Sequence, residues 1–201
     1  MRYLIFWNPL EKMFTHESVS AVQTLKAWGF ELSTFDKKDA LQYNILYKPQ
    51  FIRKLSLDAV SPRYDYYFIG APKGRETQLK EITQVLDSAG LRGLCITPKS
   101  PSECISYREN IRNVMRSRIV IEVVQKGQEG ITLRALEALI YGKKLITTCN
   151  DISTYDFYSP QNILIWKGKG TDIDSFLLSK FTPPSEAILQ KYDIATWAES
   201  F

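Results

Sequence analysis

Two carboxylates, Glu129 and Glu137, stand with seven residues between them across the start of an apolar helical pattern. The segment runs Gln125-Lys126-Gly127-Gln128-Glu129-Gly130-Ile131-Thr132-Leu133-Arg134-Ala135-Leu136-Glu137-Ala138-Leu139. A strand ends, a polar glycine-containing loop follows, and a helix begins. Eight residues at helical rise span about 12 Å. Between the two acids lie the backbone N–H groups of Gly130, Ile131, Thr132 and Leu133, which a helix start leaves without intrahelical acceptors. Carboxylates accept from pairs of hydroxyls, and a helix N-terminus attracts phosphate. The pattern suits an extended ligand with hydroxyls at both ends and a diphosphate in the middle, with Gly127 and Gln128 in the approaching loop. The simpler alternative is a dipole-favoured Glu129 and a solvated Glu137. Glu137 fits that alternative less well, because Leu136, Ala138 and Leu139 widen the apolar stripe around it.

A second segment with chemical content is Gly70-Ala71-Pro72-Lys73-Gly74-Arg75, directly after Tyr66-Tyr67-Phe68-Ile69. Two glycines and two cations between a strand and a helix start suit an anion, because the backbone allows close approach and Lys73 and Arg75 add charge. An ordinary turn with solvated cations reads equally well. The segment is neither a Walker A loop nor a GxGxxG fingerprint. Thr97 to Ser102 could flank a base, but a plain polar loop is the simpler reading. Arg108, Arg112 and Arg116 share one helix face, with Glu109 beside them. That face suits solvent, an anionic membrane surface or a lipid-linked acceptor better than sequence-specific nucleic-acid contact.

Composition narrows the chemistry. The chain has 201 residues and a formal net charge of +4, with 44% hydrophobic and 24% charged residues. These values describe a globular chain with enough apolar content for a core. They exclude intrinsic disorder, and the charge is too small to argue for DNA. Apolar runs such as Tyr3 to Trp7 fall far short of the roughly 20 residues of a membrane span. The same short run, closed by Asn8-Pro9, does not read as a signal peptide, so a cytoplasmic protein is expected. The single histidine, His16, leaves little room for Ser–His or Cys–His machinery. Cys95, Cys104 and Cys149 form no metal-spacing pair and are expected to be reduced and mostly buried. Any catalysis would run on carboxylates, cations and backbone dipoles.

Strand-length apolar runs alternate with helical patterns from Tyr64 onward. Strands are expected at 66–69, 94–96, 118–124, 144–147 and 162–166. Helices are expected at 76–88, 107–116, 131–141 and 173–180, with a last helix from about Ser185. Alternating strands and helices predict an α/β fold, a Rossmann-like parallel sheet with helices on both faces. A shorter βαβ piece precedes it: a strand at 2–7, a helix at 17–28, a strand at 30–35 and a helical turn at 36–43. The resulting division is 1–63 for a partial α/β segment and connector, 64–182 for the Rossmann-like domain, and 183–201 for a C-terminal helix.

Glu129 and Glu137 match the Glu-x7-Glu signature of retaining GT-B glycosyltransferases. The run from Glu129 to Leu139 and then Gly142-Lys143-Lys144-Leu145-Ile146-Thr147 resembles that family's donor-binding helix and following strand. The stretch from Tyr64 to Trp166 resembles bacterial lipopolysaccharide or capsule glycosyltransferases of the CgeB-like kind. Asp65 to Gly70 with Lys73-Gly74-Arg75, Ser106-Tyr107 with Glu109-Asn110, and Asn150-Asp151-Ile152 with Tyr155 to Tyr158 carry the likeness. The resemblance implies a nucleotide-diphospho sugar as substrate, transfer to a growing glycan or lipid-linked acceptor, and no need of a metal or a cofactor. It implies that Glu129 touches the donor sugar as the catalytic residue, that Glu137 holds the ribose, and that Lys73 and Arg75 hold the diphosphate. It also implies work in the cytoplasm, with peripheral contact at the inner membrane face. GT-B enzymes carry two Rossmann-like domains, whereas about 60 residues precede Tyr64 here. A non-catalytic nucleotide-sugar-binding subunit, or a donor domain needing a partner chain or a homodimer, is therefore the alternative. A flavodoxin-like regulatory domain is a weaker third reading, since a receiver's acidic cluster is missing.

Overall fold

The computed structural model describes residues 2–125 and 130–199. Gly127, Gln128 and Glu129, with Lys126 beside them, lie outside the described residues. The chain divides into two compact units at Gln50–Phe51.

The smaller unit is a three-stranded parallel sheet in the order β1-β2-β3, with β1 at Arg2–Phe6, β2 at Phe30–Thr34 and β3 at Leu46–Tyr47. Helices α1 (Leu10–Phe14) and α2 (Ser18–Ala27) connect β1 to β2, and α3 (Lys37–Gln42) connects β2 to β3. Phe6, Leu10, Val22, Leu32 and Tyr43 form its core. Asp36 caps α3 by accepting from the amides of Lys38 and Asp39. Asp39 Oδ2 accepts from the Leu10 amide at 2.8 Å, which fixes the turn leaving β1. β3 falls inside a stretch whose sequence reads as a connector, because two residues are too few to show a period.

The larger unit carries the five expected strands: β4 (Tyr64–Ile69), β5 (Gly93–Ile96), β6 (Ser117–Glu122), β7 (Lys144–Thr147) and β8 (Ile163–Ile165). All are parallel, in the order β5-β4-β6-β7-β8. Its helices are α4 (Glu76–Ser88), α5 (Tyr107–Arg116), α6 (Leu133–Ile140), α7 (Ile173–Leu178), α8 (Glu186–Lys191) and α9 (Ile194–Glu199). Alternate side chains of each strand serve opposite faces. Tyr67, Val120 and Leu145 pack with Val114 of α5 and with Ala135, Leu136 and Ala138 of α6. Tyr66, Phe68, Ile119, Ile121 and Ile146 pack with Ile82 and Leu86 of α4 and with Ile173 and Phe176 of α7. Because both faces are covered, the strands read as nearly continuous apolar runs. Each fully buried aliphatic side chain, such as Ile121 or Leu136, contributes roughly 1.5–3 kcal/mol.

Local signals set the boundaries. Ser106, Thr132, Asp172 and Ser185 cap α5, α6, α7 and α8 through side-chain oxygens. Thr132 therefore starts α6 at Leu133, two residues after the expected start at Ile131. A Cβ added to Gly93 would meet the Tyr66 ring at 2.1 Å, so only glycine lets that ring cross the neighbouring strand. The segment 51–63 belongs to the larger unit: Ile52 bonds to Tyr192 and Ile194, Leu55 to the Tyr141 hydroxyl, and Arg63 to Arg116. Cys149 is buried, but Cys95 and Cys104 are exposed, against the expectation of mostly buried thiols. Among the described residues, no helix is long and apolar enough to cross a membrane.

Candidate functional site

In this strand order β4 lies between β5 and β6, and the chain leaves their carboxyl ends toward opposite faces. The exit of β4 leads to α4 on one face, and the exit of β6 leads to α6 on the other. Such a switch point leaves a crevice beyond the strand ends, where open parallel sheets bind ligands. Gly70 to Arg75 and the start of α6 lie beside this switch point.

The exit of β4 begins at Gly70. Pro72-Lys73-Gly74-Arg75 then forms a tight turn, closed by the Arg75 amide on the Pro72 carbonyl at 3.0 Å. Positive φ at Lys73 (46°) and Gly74 (75°) is the sign pattern of a type I′ turn. The turn leaves Lys73 exposed and folds Arg75 back, 7% exposed. The Arg75 guanidinium donates to the carbonyls of Pro72, Ala71 and Val123, the last at 3.0 Å, and so ties the β4 exit to the β6 exit.

Arg134, on the first turn of α6, meets it there. Arg134 Nε donates to the Ile69 carbonyl. Both guanidinium carbons lie 5.9 Å from the centre of the Phe68 ring. A Cβ on Gly70 would approach Arg75 Nη2 to 2.9 Å and Arg134 Nη2 to 3.3 Å, so glycine makes room for the pair. Among the described residues neither arginine has an ion-pair partner. Burial lowers the Arg75 pKa, and the like charge of Arg134 lowers it further. Two cations brought together with no ion-paired carboxylate among the described residues, and with guanidinium N–H groups left over, make this the candidate anion site, although the charge of Glu76 is felt at Arg75. The sequence reading missed Arg134. The usable signal is its position, since a cation in a first helical turn opposes the helix dipole and needs another reason to be there.

The start of α6 differs from the expectation of four unoccupied amides. Glu122, fully buried at the end of β6, accepts from the Thr132 amide at 2.7 Å and from the Thr147 hydroxyl at 2.5 Å. The Thr132 amide is therefore taken by the protein's own carboxylate. Ile131 is 2% exposed with its side chain in the core. Gly130 has φ 87°, a backbone state that favours glycine. Leu133 opens the helix.

Glu137 is 3% exposed, which overturns the solvated alternative. Its Oε1 accepts from Asn110 Nδ2 at 2.9 Å, and Asn110 Oδ1 accepts from the Tyr67 hydroxyl at 3.1 Å. This chain links α6, α5 and β4. Its Oε2 has no hydrogen-bond partner among the described residues. Burial pushes the Glu137 carboxyl up to about 7, while Arg134 and the Asn110 bond pull it down and Glu122 adds to the rise. The Tyr107 hydroxyl lies near enough to favour the charged form, but not in bonding geometry with Oε2.

A carboxyl held above its unfolded value binds a proton more readily in the folded state. Glu137 therefore costs nothing below about pH 4.5 and destabilises increasingly up to about pH 7, where the penalty is complete. The drop across that window is expected to be roughly 3 kcal/mol, with Glu137→Gln removing it. Urea unfolding of both proteins between pH 4.5 and pH 8 measures the difference, and parallel profiles would contradict the assignment.

The remaining surface features are local. Glu109 pairs with Arg112 at 3.3 Å and Arg116 at 3.5 Å, exposed contacts of small energetic weight. The loop after β5 closes on itself through Ser100, Glu103 and the Lys99 amide. No protein-family model and no curated protein matches the chain.

Proposed function

We propose that the larger unit is the donor-binding domain of a GT-B-type glycosyltransferase that transfers a sugar from a nucleotide-diphospho sugar to a bacterial surface polysaccharide or lipopolysaccharide. The observation that carries this reading is the pairing of Arg75 and Arg134 around Gly70 at the switch point, without a carboxylate partner among the described residues. Two positive charges there suit a diphosphate. Glu137, with one carboxylate oxygen unpartnered, suits the two hydroxyls of a ribose. By resemblance to the Glu-x7-Glu enzymes, Glu129, which lies outside the described residues, would contact the sugar, and the outcome would be retaining.

The protein's own groups have a definite task in such a transfer. Negative charge develops on the diphosphate as the bond to the sugar breaks. Arg75, held by three carbonyls, and Arg134, held by one, stabilise that charge without reorganising, since their positions are fixed beforehand. This leaving-group chemistry requires no metal. The acceptor would be a glycan or lipid-linked chain at the cytoplasmic membrane face.

A thermal-shift screen followed by calorimetry tests the reading with UDP-, GDP- and ADP-sugars. A ligand present at 100 times its Kd is expected to stabilise the chain by about 2.7 kcal/mol. Binding with turnover supports the transferase, binding without turnover assigns a non-catalytic binding subunit, and no binding by any of them rejects the reading.

A further inference from the structure

We propose that Glu137 carries a proton in the ligand-free protein and releases it when a ribose diol binds, so that donor affinity rises with pH. The inference rests on the nucleotide-sugar reading above and adds a proton to its binding equilibrium.

The surroundings of Glu137 argue for the proton. The side chain is 3% exposed, and among the described residues its one hydrogen bond of full geometry comes from a neutral amide, Asn110 Nδ2. From α5 the group is faced by Asn110 and Tyr107, and Tyr67 of β4 stands behind Asn110. Tyr141, just beyond α6, is close enough to sense its charge, but the Tyr141 hydroxyl is engaged with the Leu55 backbone. The nearby cation, Arg134 of the same helix, is turned to the Ile69 carbonyl and makes no ion pair with Glu137. From β6, the buried Glu122 disfavours a second charge. An ionised Glu137 would leave a charged oxygen buried with no described donor in bonding geometry, the Tyr107 hydroxyl being near but misaligned, an arrangement that proteins avoid by protonation. The carboxyl value of about 7 agrees with this geometry.

A vicinal diol changes the balance. Its two hydroxyls can donate to both carboxylate oxygens, but a protonated Oε2 is itself a donor and accepts poorly. Ionisation on binding breaks the Oε2–H bond and passes the proton to solvent, and the ribose hydroxyls keep theirs. The bound state then has the donors that the empty state lacks.

Calorimetric titration of the full chain with UDP-glucose, GDP-mannose and ADP-glucose at pH 6.5, in MES and in imidazole, reads the released proton directly. The diphosphate of a nucleotide sugar has no proton to lose near neutrality, so any release comes from the protein. The expected release is roughly 0.7 proton per bound ligand, absent at pH 8.5 and absent in Glu137→Gln, with affinity rising about tenfold from pH 6 to pH 8. Equal binding heats in the two buffers at pH 6.5, after correction for dilution, would overturn the inference and leave the donor reading standing. Release that persists unchanged in Glu137→Gln would move the proton to another group and also overturn it. No binding by any of the three ligands rejects the donor reading, and the inference falls with it. If the variant is unstable, equal binding heats in the two buffers at pH 6.5 in the wild type still overturn the inference.

Discussion

Replacing Glu122 by alanine is expected to lower the stability of the larger unit by about 3–5 kcal/mol, the largest single loss anticipated outside the apolar core. The side chain is fully buried and holds two partners on different elements, the Thr132 amide at the start of α6 and the Thr147 hydroxyl at the end of β7. Alanine would leave both donors without this acceptor and open a cavity where the carboxylate stood. Glutamine keeps the volume and one accepting oxygen, so Glu122→Gln is expected to lose only about 1 kcal/mol. Urea midpoints at constant m-value measure both variants. Equal losses would mean that the charge, rather than the shape and the bonds, holds the junction together. A loss below about 1 kcal/mol in the alanine variant would mean that α6 is anchored mainly by its apolar face.

Arg134→Gln is expected to weaken nucleotide-sugar binding by roughly 1.5–3 kcal/mol, about tenfold to a hundredfold, with the fold intact. Arg134 is half-buried and gives up one bond to the Ile69 carbonyl, so the stability cost is small beside the loss of charge. Lys73→Ala should matter less, because Lys73 is exposed on its turn and a solvated cation contributes little. Arg75 is a poor first target, since its removal would strand three carbonyls at once. Calorimetry with the tightest-binding nucleotide sugar, repeated with inorganic pyrophosphate, separates the phosphate contact from the rest of the ligand. If Lys73→Ala costs more than Arg134→Gln, the anion contact returns to the exposed turn and the buried arginine pair becomes scaffold.

The parallel sheet was legible because each strand of the larger unit is apolar on both faces, as at Ile119-Val120-Ile121, and because helical patterns separate the strands. The helix at 76–88 was legible to its last residue, since Leu79, Ile82 and Leu86 repeat at helical spacing and Gly90 follows. Short elements were not. β3 has two residues, and α1 has five, too few to set a period against. Glu122 could have been noticed as one carboxylate inside an otherwise apolar strand, but its two partners lie 10 and 25 residues further along the chain.

The sequence by itself determined the fold class, the order of elements in the larger unit and the candidacy of Gly70 to Arg75 and of Glu137, because period, capping residues and glycine positions act over a few residues. Tertiary structure alone decided which of those groups meet. Strand order brought the β4 and β6 exits together, so that Arg134, 59 residues after Arg75, came to share the space above Gly70 with it. It also decided that Glu137 is buried with one oxygen unpartnered among the described residues, and that the Thr132 amide belongs to Glu122. The reason is physical: desolvation and hydrogen-bond pairing depend on which distant segments the packed sheet places side by side, and no local pattern encodes that.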